Sequence, residues 1–496
     1  MTFNLEKDRF HEKCGVFGII GRERDGAYAG LEAARMTFYG LWALQHRGQE
    51  SSGIVSSDGR NLYRHAAQGL VATAYREEDL EQLPGHIAIG HNRYSTSGGP
   101  EDCYNQPYLD RKHGIAFAHN GTLPDTSKLE AFLKDHHVDM SNMNDSAMMV
   151  AAIGCYMDDG HDFITAVKTA WPLFIGAFSI VAMDKNRLLS FRDECGIRPL
   201  SIGTLDGGYV IASETCAFDT IGATFLRDVE PGELVIIDEH GLKSEQIKTP
   251  NPKLDMFELV YFARLDSLLL GKRVDTVRQD FGRQIAREFP IKADVVVPVP
   301  DSAVPAAIGY SQESGIPFEM ALIKNRYIHR TFIRPTPELR ERDLKMKLNT
   351  VPELLKGKCV VVIDDSIVRG TTVRHLVSMI FEAGAKEVHM FISSPPVRYP
   401  DFYGINTPHQ DELIAAYMTV PEIRDHIGAT SLHFLSFEGM IKATGLPADS
   451  FNNSCFDGNY PISIGKRAKE VKQLGPGQKL PLSAFVPTEY ATSKTR

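Results

Sequence analysis

Two adjacent acids that follow an apolar run are the first residues of this chain with a clear chemical use. They lie in VVVIDDSIVRGTT, which runs from Val360 to Thr372. A buried strand that leads through a small-residue loop into a helix is where ligands bind in open α/β sheets. The loop 366–372 can point backbone N–H groups at a phosphate, and the helix N-terminus adds positive potential. The two carboxylates suit ribose hydroxyls or a hydrated Mg²⁺ ion. The alternative is an acidic N-cap and a turn without a ligand.

A second set of residues could perform nucleophilic chemistry on an amide. Cys14 opens the apolar run CGVFGII, Arg93 follows another run, and Asn120 with Gly121 ends a third. Amide hydrolysis needs a thiolate, a proton acceptor, oxyanion donors and groups that hold the charged ends of the substrate. Cys14, Asn120 with Gly121, and Arg93 would supply three of these, and Asp145 could hold an ammonium group. A cysteine before an apolar strand is also typical of a buried core residue, so both interpretations stay open.

The proton acceptor for Cys14 is not visible as a histidine–carboxylate pair in the sequence. A free α-amino group has a pKa of about 7.7–8.0, well below the roughly 10.4 of lysine, so it is partly neutral near pH 7. If residues 1–13 were removed, the amine of Cys14 itself could accept the thiol proton. The mixed charges of this leader, MTFNLEKDRFHEK, do not contradict its removal.

The elements that position these residues change in character along the chain. Short alternating apolar runs from Cys14 to about Ile247 predict packed antiparallel sheets, with helical stretches around 30–44 and 146–156. The two prolines of TPNPKL, residues 249–254, indicate a linker. The apolar runs 294–299, 359–363 and 387–393 then alternate with helical patterns, which predicts a parallel α/β sheet covered on both faces. We therefore expect a leader (1–13), two domains (14–248 and 249–464) and a tail (465–496).

Composition excludes several classes of protein. The 496 residues include 54 Lys and Arg and 63 Asp and Glu, a formal charge of −9, so nucleic acid is not expected as the main partner. No stretch approaches the roughly 18 to 20 apolar residues of a membrane span, and no secretory signal begins the chain. Seven cysteines without a C-x-x-C pair disfavour disulfides and structural zinc and favour a cytoplasmic location.

The order of apolar run, DD, SIV and RGTT resembles the signature that type I phosphoribosyltransferases use for phosphoribosylpyrophosphate (PRPP). Cys14 with QHRGQESSGI (45–54), GHNRYSTSG (90–98) and AHNGT (118–122) resembles the N-terminal-nucleophile (Ntn) glutaminase domain of class II amidotransferases. Together, and with YFARLDS (261–267), they are similar to the glutamine PRPP amidotransferase family. This resemblance implies an α/β protein, in which a four-layer αββα Ntn-hydrolase sandwich of the α+β type precedes a phosphoribosyltransferase domain.

The resemblance also assigns roles to residues. It implies that Cys14 attacks the glutamine carboxamide and that Asn120 and Gly121 form the oxyanion hole. Glutamine would be held by Arg93 at its α-carboxylate and by Asp145 at its α-amino group, with Gly48 nearby. Asp364 and Asp365 would bind the ribose hydroxyls and Mg²⁺, with Ser302 of the loop 299–302 as a further Mg²⁺ contact. The remaining PRPP contacts would come from Ser366, Arg369, Gly370, Thr371, Thr372 and Lys324.

A basic segment between the two PRPP loops fits the same resemblance. Six Lys or Arg residues lie between Lys324 and Arg342. On one interpretation, this segment closes over the pyrophosphate of PRPP and excludes water. On the other, it is a solvated basic turn.

The chain departs from the family pattern at several positions. Ala147 stands where the family has Glu in DSE, Thr122 replaces Asn in AHNGN, and Leu265 replaces Pro in YFARPDS. Many relatives hold a [4Fe–4S] cluster on four cysteines. Because one thiol cannot hold such a cluster, we expect none here. The four matching positions are Asp255, Asp401, Asn452 and Cys455.

The resemblance implies a glutamine-dependent enzyme that makes 5-phospho-β-D-ribosylamine for purine synthesis. It also implies a Mg²⁺ cofactor, a homotetramer and purine nucleotides as feedback inhibitors. One rival is an enzyme whose degraded glutaminase leaves ammonia-dependent transfer alone, as Ala147 and Thr122 suggest. Another is a non-catalytic PRPP sensor, against which two intact sites argue.

Overall fold

A computed structural model describes residues 14–21, 23–24, 27–28, 32–94, 104–325, 348–405, 409–475 and 478–479. The leader 1–13 and residues 326–342 of the basic segment lie outside this range. Among the described residues, no helix has the length and apolar character that crossing a membrane requires.

Two antiparallel sheets stack face to face in the first half of the described chain, as the alternating runs predict. Val16 and Ile20 of one sheet and Ala116 and Val181 of the other belong to the core between them. The first sheet has seven strands in the order Thr224–Asp228, Ser201–Leu205, Gly208–Ala212, Gly15–Ile20, Ile87–Arg93, Ser51–Ser57 and Leu62–Gln68. The second has six in the order Gly241–Gln246, Glu233–Asp238, Leu188–Arg192, Ile175–Met183, Ile115–Asp125 and Tyr108–Asp110.

Helices cover the outer face of each sheet, which completes four αββα layers. On the strand after Cys14, Phe17 and Ile19 pack under the first helical layer while Val16 and Ile20 face the second sheet. A strand buried on both faces has no polar side, which explains why CGVFGII is apolar throughout. The first layer contains Ala33–Ala43 and Cys216–Ile221, and the second contains Ser127–Asp135, Asp145–Asp158 and Phe163–Ala170.

A parallel sheet organises the second half, as the apolar runs of this region predict. Its strands pair in parallel in the order Val295–Pro298, Cys359–Asp364, Glu387–Ile392 and Ser431–Phe434. The neighbouring helices are Val274–Glu288, Val304–Ser314, Thr371–Glu382, Val420–Ile427 and Phe437–Thr444. The carboxyl ends of the first two strands lead into the loops that hold Ser302 and Asp365, so the topology brings these loops together.

Short elements connect the two halves. Leu254–Asp255 pairs in parallel with Phe451–Asn452, and Asp255 N–H donates to the carbonyl of Ile197 in the first half. The 3₁₀ turn Gly465–Glu470 lies beside the strand Ile115–Asp125. The predicted tail therefore returns to the first half of the chain.

The remaining elements are short. The two-residue and three-residue strands are Glu23–Arg24, Ala27–Tyr28, Leu268–Leu269, Lys272–Arg273, Leu322–Lys324 and Leu348–Thr350. The short helices and helical turns are Gln45–Arg47, Val71–Ala74, Glu77–Glu81, Trp171–Leu173, Glu258–Phe262, Pro352–Leu355, Gln410–Glu412, Ile414–Tyr417, Ala448–Ser450 and Ser454–Asp457.

Candidate functional site

A cavity of about 330 Å³ brings together residues that the sequence placed in four separate motifs. Cys14, Arg93, Gly121 and Asp145 all line it. Cys14 precedes one strand, Arg93 ends its neighbour, Gly121 lies in a strand of the facing sheet, and Asp145 begins a helix. The edge where the two sheets and a helix meet thus forms a polar pocket with a thiol in its wall.

The backbone of Cys14 has an unusual conformation for a residue with a side chain. Its φ is 72°, in the left-handed region that most residues avoid. The guanidinium Nε of the buried Arg47 donates to the Cys14 carbonyl at 3.3 Å. Such strain persists where the surroundings over-determine it, as they do at many active sites.

Asn120 and Gly121, the residues predicted to form an oxyanion hole, have different environments. Gly121 lines the cavity, whereas Asn120 is buried and is not among the described residues that line it. The oxyanion-hole role of both residues stays a prediction. Asn120 Nδ2 donates to Ser213 Oγ at 3.4 Å, and the same hydroxyl oxygen accepts the N–H of Val16 at 3.0 Å, so Ser213 links Asn120 to the strand after Cys14. Gly121 has φ 144°, and a Cβ there would lie 2.1 Å from the Ala177 carbonyl oxygen. Glycine is therefore the residue that fits this backbone position in the cavity wall.

Asp145 is held firmly at the start of its helix. Its Oδ2 accepts the N–H of Leu123 at 3.0 Å and its Oδ1 accepts the N–H of Ser146 at 2.8 Å. These bonds fix the carboxylate between the helix and the facing strand, in a position to meet an ammonium group in the cavity.

Gly48 has a different environment from the other predicted glutamine-binding residues. It is not among the described residues that line the cavity. A Cβ on Gly48 would approach the backbone of Asn92 to 2.7 Å and that of Arg93 to 2.9 Å. Its lack of a side chain lets the QHRG turn pack against the strand that carries Arg93. The glutamine-binding role of Gly48 stays a prediction.

The cavity also contains residues that the sequence did not single out. His119, Gln106 and Tyr94 line it, as does Arg467 from the predicted tail. His119 Nδ1 lies 2.8 Å from Ser146 Oγ, and its Nε2 lies 3.3 Å from the Ala177 carbonyl oxygen. His119 and Tyr94 lie within or beside the motifs AHNGT and GHNRYSTSG, but nothing in the sequence distinguished them from neighbouring residues. Arg467 is more than 300 residues from these motifs along the chain.

Among the residues that the structure describes, the histidines near Cys14 are poorly placed to act as its base. Both ring nitrogens of His119 have partners, and burial lowers its pKa. His91 is buried, its Nε2 faces the His119 carbonyl oxygen at 3.2 Å, and burial lowers its pKa to about 3. His46 pairs with Glu214 at 2.7 Å but is not among the cavity-lining residues. The α-amine of Cys14 as the base stays a prediction.

The predicted PRPP loops meet at the carboxyl edge of the parallel sheet. The Ser302 hydroxyl donates to Asp365 Oδ2 across the two loops. Ser366 Oγ donates to Asp365 Oδ1 at 2.7 Å, and Asp365 N–H donates to Asp364 Oδ1 at 3.0 Å. Both aspartates are buried, at 4% and 5% exposure. This set of hard oxygen donors, with two carboxylates, matches what Mg²⁺ prefers.

The loop predicted to bind phosphate leads into a helix, as the sequence predicts. Gly370 has φ 79° and precedes the helix Thr371–Glu382. Thr371 and Thr372 belong to the first turn of this helix, and the N-terminus of a helix favours anions. Arg369 instead forms an ion pair with Glu412 at 2.7 Å, and Lys324 Nζ lies 3.0 Å from Asp301 Oδ2.

A buried ladder of charges joins the two halves behind Cys14. Arg47 pairs with Glu214 and with Glu258, and Arg198 Nη2 lies 2.7 Å from Glu258 Oε1. All four side chains have 0% exposure. Burial alone would raise the pKa of Glu258, but the guanidinium groups of Arg198 and Arg47 hold it below its usual range.

The four positions that match the cysteines of cluster-bearing relatives also come together. Asp255 pairs in register with Asn452, and Asp255 and Asp401 both act electrostatically on Cys455. Burial and these carboxyl groups raise the pKa of the Cys455 thiol well above its usual value. One protonated thiol, two acids and an amide do not fit a [4Fe–4S] cluster, which takes four thiolates. The absence of a cluster stays a prediction.

Comparisons with known families match each half of the chain separately. Residues 91–220 match a glutamine amidotransferase domain, and residues 274–394 match a phosphoribosyl transferase domain. The first range includes Arg93, Asn120 and Asp145, and the second includes Ser302 and Asp365.

Curated relatives extend the similarity over nearly the whole chain. An amidophosphoribosyltransferase from Synechocystis sp. is 46% identical over 475 residues, which are 94% of this chain and 94% of the relative. One from Bacillus subtilis is 44% identical over 463 residues, 92% of this chain and 95% of the relative.

Solved structures agree with these relatives. The B. subtilis glutamine PRPP amidotransferase complexed with ADP and GMP superposes with a TM-score of 0.84 at 43% identity and covers 91% of this chain and 98% of its own. A structure described as the allosteric regulatory enzyme of purine biosynthesis gives a TM-score of 0.85 at 44% identity, covering 91% and 97%.

Proposed function

The chain belongs to the amidophosphoribosyltransferase family, and on that premise we propose how its residues perform the reaction. The enzyme converts PRPP, glutamine and water to 5-phospho-β-D-ribosylamine, glutamate and pyrophosphate, the first committed step of purine synthesis. We assign glutamine hydrolysis to residues 14–248 and phosphoribosyl transfer to residues 249–464.

In the first site, the Cys14 thiolate attacks the carboxamide carbon of glutamine. Asn120 Nδ2 and the Gly121 N–H stabilise the oxyanion of the tetrahedral intermediate. Collapse of this intermediate leaves a thioester and releases ammonia, which takes up the proton that the Cys14 thiol gave to the base. Water then hydrolyses the thioester to glutamate. Arg93 holds the α-carboxylate, and Asp145 holds the α-ammonium group of the substrate throughout.

In the second site, ammonia attacks the anomeric carbon of PRPP and pyrophosphate leaves. Asp364 and Asp365 orient the ribose through its hydroxyls, and Ser366 with residues 369–372 binds the 5′-phosphate. A Mg²⁺ ion held by Ser302, Asp364 and Asp365 would neutralise charge on the departing pyrophosphate. Lys324 stands next to this site at the start of the basic segment, so it is assigned to the pyrophosphate as well.

The convergence of Cys14, Arg93, Gly121 and Asp145 on one cavity is the single observation that carries this proposal. The Cys14→Ala variant tests it. We expect this variant to lose pyrophosphate release with glutamine and to keep it with ammonium chloride, because the PRPP site is untouched. Cys155→Ala is the matched control, because Cys155 is buried between the second sheet and its helices and does not line the cavity. Glutamine-dependent activity in Cys14→Ala would contradict the assignment of the nucleophile.

The ammonia-only enzyme remains a second candidate because of two departures near the first site. Thr122 Oγ1 donates to the Gly121 carbonyl at 2.8 Å, and Ala147 presents no carboxylate beside Asp145. This candidate would be favoured if the wild-type chain released pyrophosphate with ammonium chloride at a rate that added glutamine did not increase.

Removal of residues 1–13 is part of the proposal, because the α-amine of Cys14 is free only when nothing precedes it. Intact mass of the active protein tests this step. A chain that begins at Cys14 agrees with it, and full activity with glutamine in a chain that retains the leader contradicts it.

We further propose a cytoplasmic homotetramer that uses Mg²⁺ and is inhibited by purine nucleotides. The B. subtilis structure, complexed with ADP and GMP, supports the regulatory part. Sedimentation with and without these nucleotides, beside activity assays, tests both the assembly and the inhibition.

A further inference from the structure

Three side chains with metal-binding atoms meet at the end of the parallel sheet opposite to Asp365. Cys359 and Glu387 are the first residues of two adjacent strands, and His389 lies two residues further along the second. Cys359 pairs in register with Glu387, and Val361 pairs with His389. Because side chains alternate along a strand, all three ligating side chains project from the same face of the sheet.

The distances between the ligating atoms are close to those of a tetrahedral site. Cys359 Sγ lies 3.6 Å from Glu387 Oε2, and His389 Nε2 lies 3.2 Å from the same oxygen. All three atoms lie within 4.8 Å of one another. Zinc bonds of about 2.3 Å to sulfur and about 2.0–2.2 Å to nitrogen or oxygen give edges of roughly 3.3–3.7 Å. Two edges of such a tetrahedron are therefore nearly formed already.

A neighbouring hydroxyl orients the histidine for this role. His389 Nδ1 lies 2.9 Å from Oγ of Ser431, its register partner on the next strand. When Nδ1–H donates to this hydroxyl oxygen, the lone pair of Nε2 faces Glu387 and Cys359. Metal-bound histidines in proteins are held by outer hydrogen bonds of this kind.

The charges around the thiol also favour a cation. The sulfur lies beside two oxygen atoms, since Cys359 Sγ is 3.6 Å from Glu387 Oε2 and 3.6 Å from the Lys292 carbonyl oxygen. Asp294 Oδ2 accepts the Cys359 N–H at 2.8 Å and adds a second carboxylate beside the sulfur. Lys386 Nζ lies 3.5 Å from Glu387 Oε1 and so leaves Oε2 directed at the sulfur and imidazole.

We propose that Cys359, Glu387 and His389 form a site for a zinc-class divalent cation, with water as the fourth ligand. A thiolate, an imidazole and a carboxylate together suit Zn²⁺ and Co²⁺ better than Mg²⁺. The bound ion would join the starts of two neighbouring strands and so stabilise the second half of the chain. The absence of C-x-x-C argued against structural zinc, but these ligands come from two strands, and Cys359 and Glu387 are 28 positions apart.

Cobalt absorption provides the direct test. The full chain is freed of metal, kept reduced with a phosphine rather than a thiol, and titrated with Co²⁺. Thiolate-to-cobalt charge transfer in the near ultraviolet reports sulfur as a ligand, and competition with a chromophoric chelator gives the zinc affinity. The variants are Cys359→Ser and Ser431→Ala, with Cys14→Ala to remove the thiol that lines the cavity of the first site.

The expected pattern separates this site from the catalytic ones. Wild type and Cys14→Ala show the band at one equivalent of Co²⁺, Cys359→Ser does not, and Ser431→Ala weakens zinc binding about 10- to 100-fold. Zinc should raise the melting temperature of wild type but not of Cys359→Ser. Zinc binding should also release a proton from the protein. A band that survives in Cys359→Ser, or is lost in Cys14→Ala, would overturn the proposal, as would the absence of any band in wild type.

Discussion

The Glu258→Gln substitution tests the charge ladder that joins the two halves of the enzyme. Glu258 Oε1 accepts hydrogen bonds from Arg47 Nη2 at 2.8 Å and Arg198 Nη2 at 2.7 Å, and Oε2 accepts one from Arg47 Nη1 at 3.2 Å. A glutamine keeps the first oxygen, but its amide nitrogen then faces the Arg47 Nη1 donor. The substitution therefore removes one acceptor and leaves a net positive charge among buried groups.

The size of the effect follows from these contacts. One lost hydrogen bond to a charged group costs about 1.5–3 kcal/mol. The unbalanced buried charge brings the total to about 3–5 kcal/mol, as for other broken buried pairs. In a unit of about 200 residues, each kcal/mol lowers the melting temperature by roughly 2–4 °C. We therefore expect a decrease of at least about 6 °C, measured by calorimetry or circular dichroism.

The same substitution should affect the two reactions unequally. Arg47 Nε binds the Cys14 carbonyl, so a displaced guanidinium moves the nucleophile. Glutamine-dependent turnover should fall more than ammonia-dependent turnover. Glu313→Gln is the matched control, because its ion pair with Arg287 is at the surface and should leave the melting temperature unchanged. A Glu258→Gln enzyme that melts within about 2 °C of wild type with an unaltered ratio of the two reactions would refute the reasoning.

Three further predictions concern other groups of the enzyme. Asp145→Asn should raise the KM for glutamine about 10- to 100-fold, because a charged hydrogen bond contributes about 1.5–3 kcal/mol. The KM for ammonia should stay unchanged, and steady-state kinetics with both nitrogen donors test both expectations. Asp365→Asn should abolish transfer with both donors while glutamine hydrolysis persists, and retained transfer would argue against the PRPP assignment. The pKa of His91 is about 3 when folded and about 6.5 when unfolded, so the unfolded chain binds a proton that the folded chain excludes. The free energy of unfolding should therefore fall by up to about 1.4 kcal/mol per pH unit as the pH is lowered from about 6.5 towards about 3. The His91→Asn substitution should flatten this pH dependence, as measured by denaturant titrations at several pH values.

Much of the fold and of the chemistry could be predicted from local patterns. The run before Asp364 is apolar because its strand is buried on both faces, and the small loop after it must leave room for a ligand. Gly121 is required where a Cβ would meet the Ala177 carbonyl oxygen, so the motif AHNG reflects a backbone constraint. Each requirement determines the residue type at the motif position itself, which is why it is visible in the sequence.

The partners of these motifs depended on the tertiary structure. Arg467 reaches the Cys14 cavity from the far end of the chain, and Glu258 meets Arg47 across 211 residues. Nothing in the local sequence distinguishes these charges from solvated ones, because the cost of burying a charge is offset only by the partner that folding brings beside it. The sequence alone thus determined which residues can react and which backbone positions must be glycine or apolar. The tertiary structure decided which distant side chains hold the reactive groups in place, since that depends on distances that close only when sheets and helices pack.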